Sequence, residues 1–284
     1  MITHEYIEVN GIKLHIAKQG NGKKLVILLH GWPEFWYTWR YQIPVLSEHF
    51  TVVAPDLRGF NLSDKPIGIE NYKTDIVASD IAALIPKLGF EKAYIVGHDW
   101  GGAIAWSFAA LYPDLTEKLV VLNCPHPKEM LKSFKKNPSQ LLKSWYMFMH
   151  QIPVLPEFVM SNFLAYFFKK FVRGWMYNKQ NFTDADLTEF VRAYRQNGAL
   201  TGSINYYRAM LQTKPNKSVF KNKITAPTLL IWGTGDKALG KELTYNTQEY
   251  IDATYDVKYI SNCSHWTQND CPDEVNNYLI DFLN

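Results

Sequence analysis

Cysteine is scarce in this chain: Cys124, Cys263 and Cys271 are the three in 284 residues, an odd number without metal-ligand spacing. A scaffold held by disulfides and a zinc-type cluster are therefore not expected. An excess of charge of one sign is also lacking, since 30 basic residues face 27 acidic ones and mostly alternate with acidic and apolar neighbours. No nucleic-acid partner is expected on that balance. No uninterrupted apolar run reaches the roughly 20 residues of a membrane span. The nearest, Phe163 to Tyr177, is interrupted by Lys169, Lys170 and Arg173. It reads either as an interfacial helix or, the favoured reading, as an aromatic helix lining an apolar pocket. The opening "MITHEYIEVN" has no apolar signal core, and together with the unpaired cysteines this points to a cytoplasmic protein. Dinucleotide fingerprints and P-loops are absent as well, so no cofactor and no metal are expected.

What is present is a hydrophobic content of 47%, enough to bury a large core. Tyr6 to Val9 and Ile12 to Ala17 alternate around Asn10-Gly11, the pattern of a hairpin with a tight turn. Continuous apolar runs follow at Lys24 to Gly31, Phe50 to Asp56, "KAYIVGHD", Lys118 to Cys124, Pro227 to Gly233 and Asp256 to Ile260. Such runs suit parallel strands covered on both faces, with helices such as Thr74 to Leu88 crossing between them. From Pro125 to about Lys217 the pattern is helical, aromatic and broken by Pro138, Pro153, Pro156, Gly174 and Gly198. Asn137 should start a helix through "PSQLLKSWYMFMHQ", and Thr183 one that ends at Gly198. The expected division is a core of residues 1–124 and 218–284 with a helical cap of residues 125–217 inserted.

"VGHDWGGA", Val96 to Ala103, lies between a buried strand and a helix. A small-x-nucleophile-x-small sequence in that context forms a strained elbow that presents its central side chain, here Asp99. A carboxylate is already anionic at neutral pH, with a reference pKa of about 3.9, so it needs no base to activate it. Attack on an acyl carbon would give only an anhydride; attack on a saturated carbon carrying a leaving group gives an ester that water can hydrolyse. The second step needs a base, and α/β-hydrolases place nucleophile, acid and histidine in that chain order. Asp236 in "IWGTGDKA" and His265 in "SNCSHWTQND" satisfy it. The backbone N–H of Trp100 and that of Trp32 in "HGWPE" are placed to form an oxyanion hole.

With "HGWPEFWYTWRYQ", "DLRGFNLSDKP", "GHDWGG", "NCPHP", "INYYRAM" and "CSHWTQNDCP" the chain resembles the soluble epoxide hydrolases of the α/β-hydrolase superfamily over almost its whole length. The resemblance implies an α/β-hydrolase fold and conversion of epoxides to vicinal diols, with a small apolar epoxide and water as partners. It implies that Asp99 is the nucleophile, His265 the base and Asp236 its orienting acid. It also implies a cis peptide before Pro33, and it makes Tyr146 and Tyr207 the cap tyrosines that protonate the leaving oxygen, Tyr206 facing elsewhere. Glu34 would position the hydrolytic water, unless it is an ordinary exposed loop glutamate. Phe148, Phe163, Tyr166, Phe167 and Phe168 suggest an apolar pocket.

Two rivals remain. A haloalkane or haloacid dehalogenase would use the same aspartate. The haloacid type, however, resembles a pattern with arginines where this chain has Trp100 and Ala103, and the haloalkane type usually carries Asn at the position of Trp32. A ligand receptor with vestigial catalysis would often have lost a catalytic member, and none is missing here.

Overall fold

The continuous apolar runs become the middle of one eight-stranded sheet. Its order is β1-β2-β4-β3-β5-β6-β7-β8. The strands are Thr3–Val9 (β1), Ile12–Gln19 (β2), Leu25–Leu29 (β3), Thr51–Pro55 (β4), Ala93–His98 (β5), Thr116–Leu122 (β6), Thr228–Gly233 (β7) and Tyr255–Ile260 (β8). Every residue of β3, β4, β5 and β7 is buried, as strands with helices on both faces must be. β1 and β2 pair antiparallel across Asn10 and Gly11, whose φ values of 48° and 74° make the left-handed turn that a two-residue hairpin needs. From β4 onward every pairing is parallel. This computed structural model describes all residues except Pro215 and Lys217.

Gln42–Leu46 (α1), Thr74–Lys87 (α2) and Trp100–Leu111 (α3) connect the first strands. After β6 come Pro127–Lys136 (α4), Pro138–Lys143 (α5), Trp145–Met149 (α6), Leu155–Phe167 (α7), Asp184–Tyr194 (α8) and Ala199–Gln212 (α9). Thr267–Asp270 (α10) and Pro272–Leu283 (α11) close the chain. Among the described residues no strand lies between Leu122 and Thr228. The expected end of this helical cap at Lys217 lies outside the described residues. No helix among the described residues is long and apolar enough to cross a membrane.

Two helix boundaries differ from the sequence expectation. Asn137 does cap α5, accepting from Gln140 N–H, but the helix does not run on to Gln151. It breaks at Ser144, where ψ is 13°, because the buried Gln140 amide bonds Ser144 Oγ and Ala238 C=O and accepts Gly240 N–H, fixing α5 to the loop after β7. Thr183 caps α8 in a capping box with Asp186, but α8 stops at Tyr194, and Gly198 opens α9. The aromatic residues Phe148, Phe163 and Tyr166 are exposed instead of facing a pocket, while Phe168 packs on Phe190 and Tyr194 and Phe167 on Trp32.

Arg208 on α9 holds three cap segments together. Its guanidinium forks onto Glu157 of α7 at 2.6 and 3.0 Å and donates to the His150 and Ile152 carbonyls, each at 3.1 Å. A planar five-donor group suits this set, and an ammonium cannot reproduce it. Replacing Arg208 with Ala leaves a half-buried carboxylate and two carbonyls unpaired, and is expected to cost about 2–4 kcal/mol, read as a lowered urea midpoint. Arg208→Lys is expected to recover only part of the loss, and full recovery would show that charge alone matters here.

Candidate active site

The sheet register delivers five loops to one edge. Gly97 of β5 lies opposite Leu29 of β3 and Val121 of β6, so the chain emerges at Gly31, Asp99 and Asn123 side by side. Asp236 follows β7 and His265 follows β8 at the same carboxyl edge, where open α/β sheets place their ligands.

Asp99 has φ 50° and ψ −118°, a strained backbone for a non-glycine residue and the geometry of the expected elbow. The flanking glycines permit it: a Cβ on Gly97 would lie 2.3 Å from the Gly101 carbonyl oxygen, and one on Gly101 2.1 Å from that of Leu29. The peptide between Trp32 and Pro33 is cis, and Trp32 N–H donates to Asp99 Oδ1 at 2.8 Å. Trp100 is the first residue of α3, where backbone N–H groups have no intrahelical acceptor. His265 Nε2 stands 3.4 Å from Asp99 Oδ2, and its Nδ1 is 2.7 Å from Asp236 Oδ2. The structure thus brings Asp99, His265, Asp236 and Trp32 together as the sequence suggested.

Asp236 is fixed from every side. Asn123 Nδ2 donates to its Oδ2 at 2.7 Å, and the amides of Ala238 and Leu239 donate to Oδ1 at 2.7 and 2.9 Å. Burial alone would raise the pKa of Asp99 and Asp236, but their neighbours outweigh it: His265 holds both below the usual carboxylate range, helped by His98 and Trp32 N–H at Asp99 and by Asn123 at Asp236. Burial alone would strip the proton from His265, but Asp236 and Asp99 flank it and hold its pKa well above the ordinary imidazole value. His265 thus lies between two carboxylates that both favour its charged form.

A cavity of about 350 Å³ reaches Asp99 from the cap side. Tyr146 and Tyr207 line it, their rings 5.9 Å apart and nearly perpendicular. Burial first, and the Asp99 charge second, push both phenols well above their ordinary pKa, so at neutral pH both hydroxyls keep their protons. Tyr206 differs: its OH donates to the Arg58 carbonyl at 2.9 Å. The apolar wall comes from residues that were not singled out in the sequence, among them Met130, Phe134, Met147 and Phe220.

Glu34 is completely buried, which overturns the reading of an exposed loop residue. Its two oxygens take Gly31 N–H, His98 Nδ1, Thr38 Oγ1 and Gln268 Nε2 at 2.7–2.8 Å. His98 in turn places Nε2 2.8 Å from the His265 carbonyl oxygen, an atom that can only accept. Both ring nitrogens of His98 therefore face oxygen atoms, which bridges Glu34 to the backbone of His265. His98, Asn123 and Gln268 were missed in the sequence although they sit inside the quoted motifs, because one-dimensional spacing does not show which motif residues support others. His150 was missed too: its ring lies 4.6 Å from that of Tyr207 and 4.8 Å from that of Trp32, and burial lowers its pKa to about 4. Cys263, Asp270 and Cys271 place possible metal-ligand atoms within 4.8 Å of one another. The Asp270 carboxylate, however, already accepts the amides of Ser264, Tyr177 and Asn178, tying the cap to the loop that carries His265.

Residues 24–271 match the family model of the α/β hydrolase fold. The chain is 40% identical to epoxide hydrolase 4 of Homo sapiens over 288 residues, spanning 99% of this chain and 79% of that protein. It is 39% identical to epoxide hydrolase 3 of Xenopus tropicalis over 297 residues, spanning 99% and 77% respectively. The solved structure of Bacillus megaterium epoxide hydrolase in complex with an inhibitor superposes with a TM-score of 0.87 at 31% identity, covering 98% of this chain and 99% of that one. The chain belongs to the α/β-hydrolase fold family and, within it, to the epoxide hydrolases.

Proposed function

We propose that the protein converts small apolar epoxides to vicinal diols through a covalent ester on Asp99. The observation that carries this reading is the convergence on one cavity of a strained, ionised carboxylate and two protonated tyrosines. An Asp99 oxygen attacks an epoxide carbon, the C–O bond breaks, and Tyr146 and Tyr207 give the departing alkoxide its proton. Esterification removes the Asp99 charge, so His265 is left beside Asp236 alone and releases its proton, which balances the one the tyrosines lose. The neutral imidazole then takes a proton from water as the hydroxide adds to the ester carbon. The N–H groups of Trp32 and Trp100 hold the oxyanion, and collapse expels the diol and restores Asp99. Glu34 acts through His98, which holds the His265 backbone, since its own oxygens already accept four bonds. Three free, buried cysteines fit a reducing cytoplasm.

His265→Gln should trap the ester. Intact mass is expected to rise by the full mass of the epoxide, whereas a gain short by one hydrogen halide on a haloalkane would mark dehalogenation instead. No adduct on Asp99 in a single turnover would overturn covalent catalysis.

Each of Tyr146→Phe and Tyr207→Phe is expected to slow alkylation and the double variant to slow it by about 100- to 10,000-fold. Tyr206→Phe loses only the bond to the Arg58 carbonyl and should alkylate normally. Rapid-quench kinetics with an epoxide decide the matter: unimpaired alkylation in the double variant removes the tyrosines from the mechanism.

The raised His265 pKa has a sign that can be measured. Because Asp99 is one of the two anions raising it, Asp99→Asn should lower it toward the ordinary imidazole value, with Asp236 still holding it partly up. An NMR titration of the ring, assigned by its loss in His265→Gln, reads the shift. An unchanged or higher value in Asp99→Asn would refute the coupling on which the release of the base depends.

A further inference from the structure

The outer face of the cap has a composition unlike that of an ordinary solvent surface. Trp145 and Phe148 on α6 are exposed three residues apart, and on α7 Phe163 and Tyr166 are exposed three residues apart by 59% each, with Phe158 exposed by 64% before them. An apolar stripe of this size on one protein face marks a contact surface. Cations share it: Lys169 and Lys170 are exposed just beyond α7, and the Lys170 ammonium lies 5.7 Å over the Tyr166 ring. Residues 125–173 hold eight lysines and arginines against two acids, Glu129 and Glu157, a net charge of +6 in a chain whose total is +3, so the other residues together carry −3. Glu129 pairs with Lys132 at 2.8 Å and Glu157 with Arg208 at 2.6 Å, while Lys132 also meets Glu249 at 3.4 Å and Arg173 meets Asp184 at 2.6 Å, which leaves Lys169 and Lys170 as the cations beside the aromatic residues of α7.

The cavity opens beside this surface. Leu131 on α4 and Met210 on α9 line the cavity and are also exposed. Gln212 at the end of α9 hydrogen-bonds Gln151 just past α6 at 3.1 Å, which keeps the Met210 end of α9 beside the start of the stripe.

We propose that this face of the cap docks on a lipid surface bearing anionic headgroups, with the aromatic side chains in the boundary between headgroups and acyl chains and the lysines against the headgroup charges. Aromatic rings with long cationic side chains around them are the composition of an interfacial helix, with each polar end reaching the headgroups. Charge chooses among the possible occupants. A second copy would set Lys169 and Lys170 against their own counterparts, while an anionic bilayer matches both these cations and the exposed aromatic residues. Docked this way, the cavity entrance faces the phase in which an apolar epoxide dissolves. Only that last step rests on the epoxide reading; docking itself is measured without substrate.

The test is flotation of the intact protein with vesicles of phosphatidylcholine alone and of phosphatidylcholine containing about 30 mol% phosphatidylserine, which supplies the negative surface potential. Binding is expected to the anionic vesicles, about tenfold or more above that to neutral ones, with release as salt shortens the Debye length. The paired variants Phe158→Ser/Phe163→Ser and Lys169→Glu/Lys170→Glu change exposed side chains only, so their thermal midpoints should match the wild type. Each lysine near an anionic surface contributes about fivefold, so the charge variant should bind at least about 20-fold more weakly. The aromatic variant is expected to lose binding comparably, and both should hydrolyse a small water-soluble epoxide at the parent rate. Wild-type protein that ignores anionic vesicles, or variants that bind as the parent does, would overturn the proposal. So would a concentration-dependent dimer in analytical ultracentrifugation that the same variants dissociate, because it would assign the face to a second copy.

Discussion

His265 lies between Asp236 at 2.7 Å and Asp99 at 3.4 Å, and all three side chains are largely withdrawn from water. Burying an ion costs several kcal/mol even after relaxation, so two carboxylates and an imidazole can be held together only if the charges compensate and every remaining lone pair finds a donor. The surrounding chain meets that demand. Asp236 takes Asn123 and two amides, and Asp99 takes Trp32 N–H. The same demand fits the strained backbone of Asp99, from which the carboxylate reaches both the Trp32 N–H after β3 and the histidine after β8.

Asp99, His265 and Asp236 therefore depend on the residues that hold them in place. Removing the Glu34 carboxylate would release His98, Thr38, Gln268 and Gly31 N–H together, and His98 is the group holding the His265 carbonyl. Asp270 does similar work on the other side, joining Ser264 beside the base to Tyr177 and Asn178 of the cap. Cap position and base position are thus coupled through one carboxylate. Asp99, His265, Tyr146 and Tyr207 sit on separate segments whose relative placement is set by buried polar groups and not by apolar packing alone.

How far the sequence speaks depends on whether a signal is local. The strands could be read because parallel strands covered on both faces are apolar at every position, and Asn10-Gly11 because its turn type demands those residues. That Asp99, Asp236 and His265 meet at one sheet edge was legible through chain order and strand ends, which are topological facts. Glu34 and His98 were not, since burial and donor count depend on four segments meeting. The break at Ser144 was hidden for the same reason: Gln140 is an ordinary helical residue until Ala238 and Gly240 are placed against it. The pocket wall was misread because aromatic content says nothing about facing. Phe163 is as apolar as Phe134, yet it turns outward while Phe134 lines the cavity.

Facing is also what lets one short helix perform two kinds of work. Consecutive helical residues point about 100° apart, so Trp145 and Phe148 of α6 project outward while Tyr146 and Met147 between them project into the cavity. A longer, unbroken helix through Ser144 would carry the phase of α5 into this segment and set the orientation of Tyr146 by the packing of Leu141 and Leu142, both exposed. Breaking at Ser144 frees that phase. The orientation of Tyr146 is then set by contacts made within and after α6: its own ring against Tyr207, His150 against Trp32, and the His150 carbonyl on Arg208. All of these belong to the active-site side of the cap. The break thereby separates the demands of the inner face, which must hold a phenol within reach of Asp99 chemistry, from those of the outer face, whose side chains remain free to match whatever surface the cap meets.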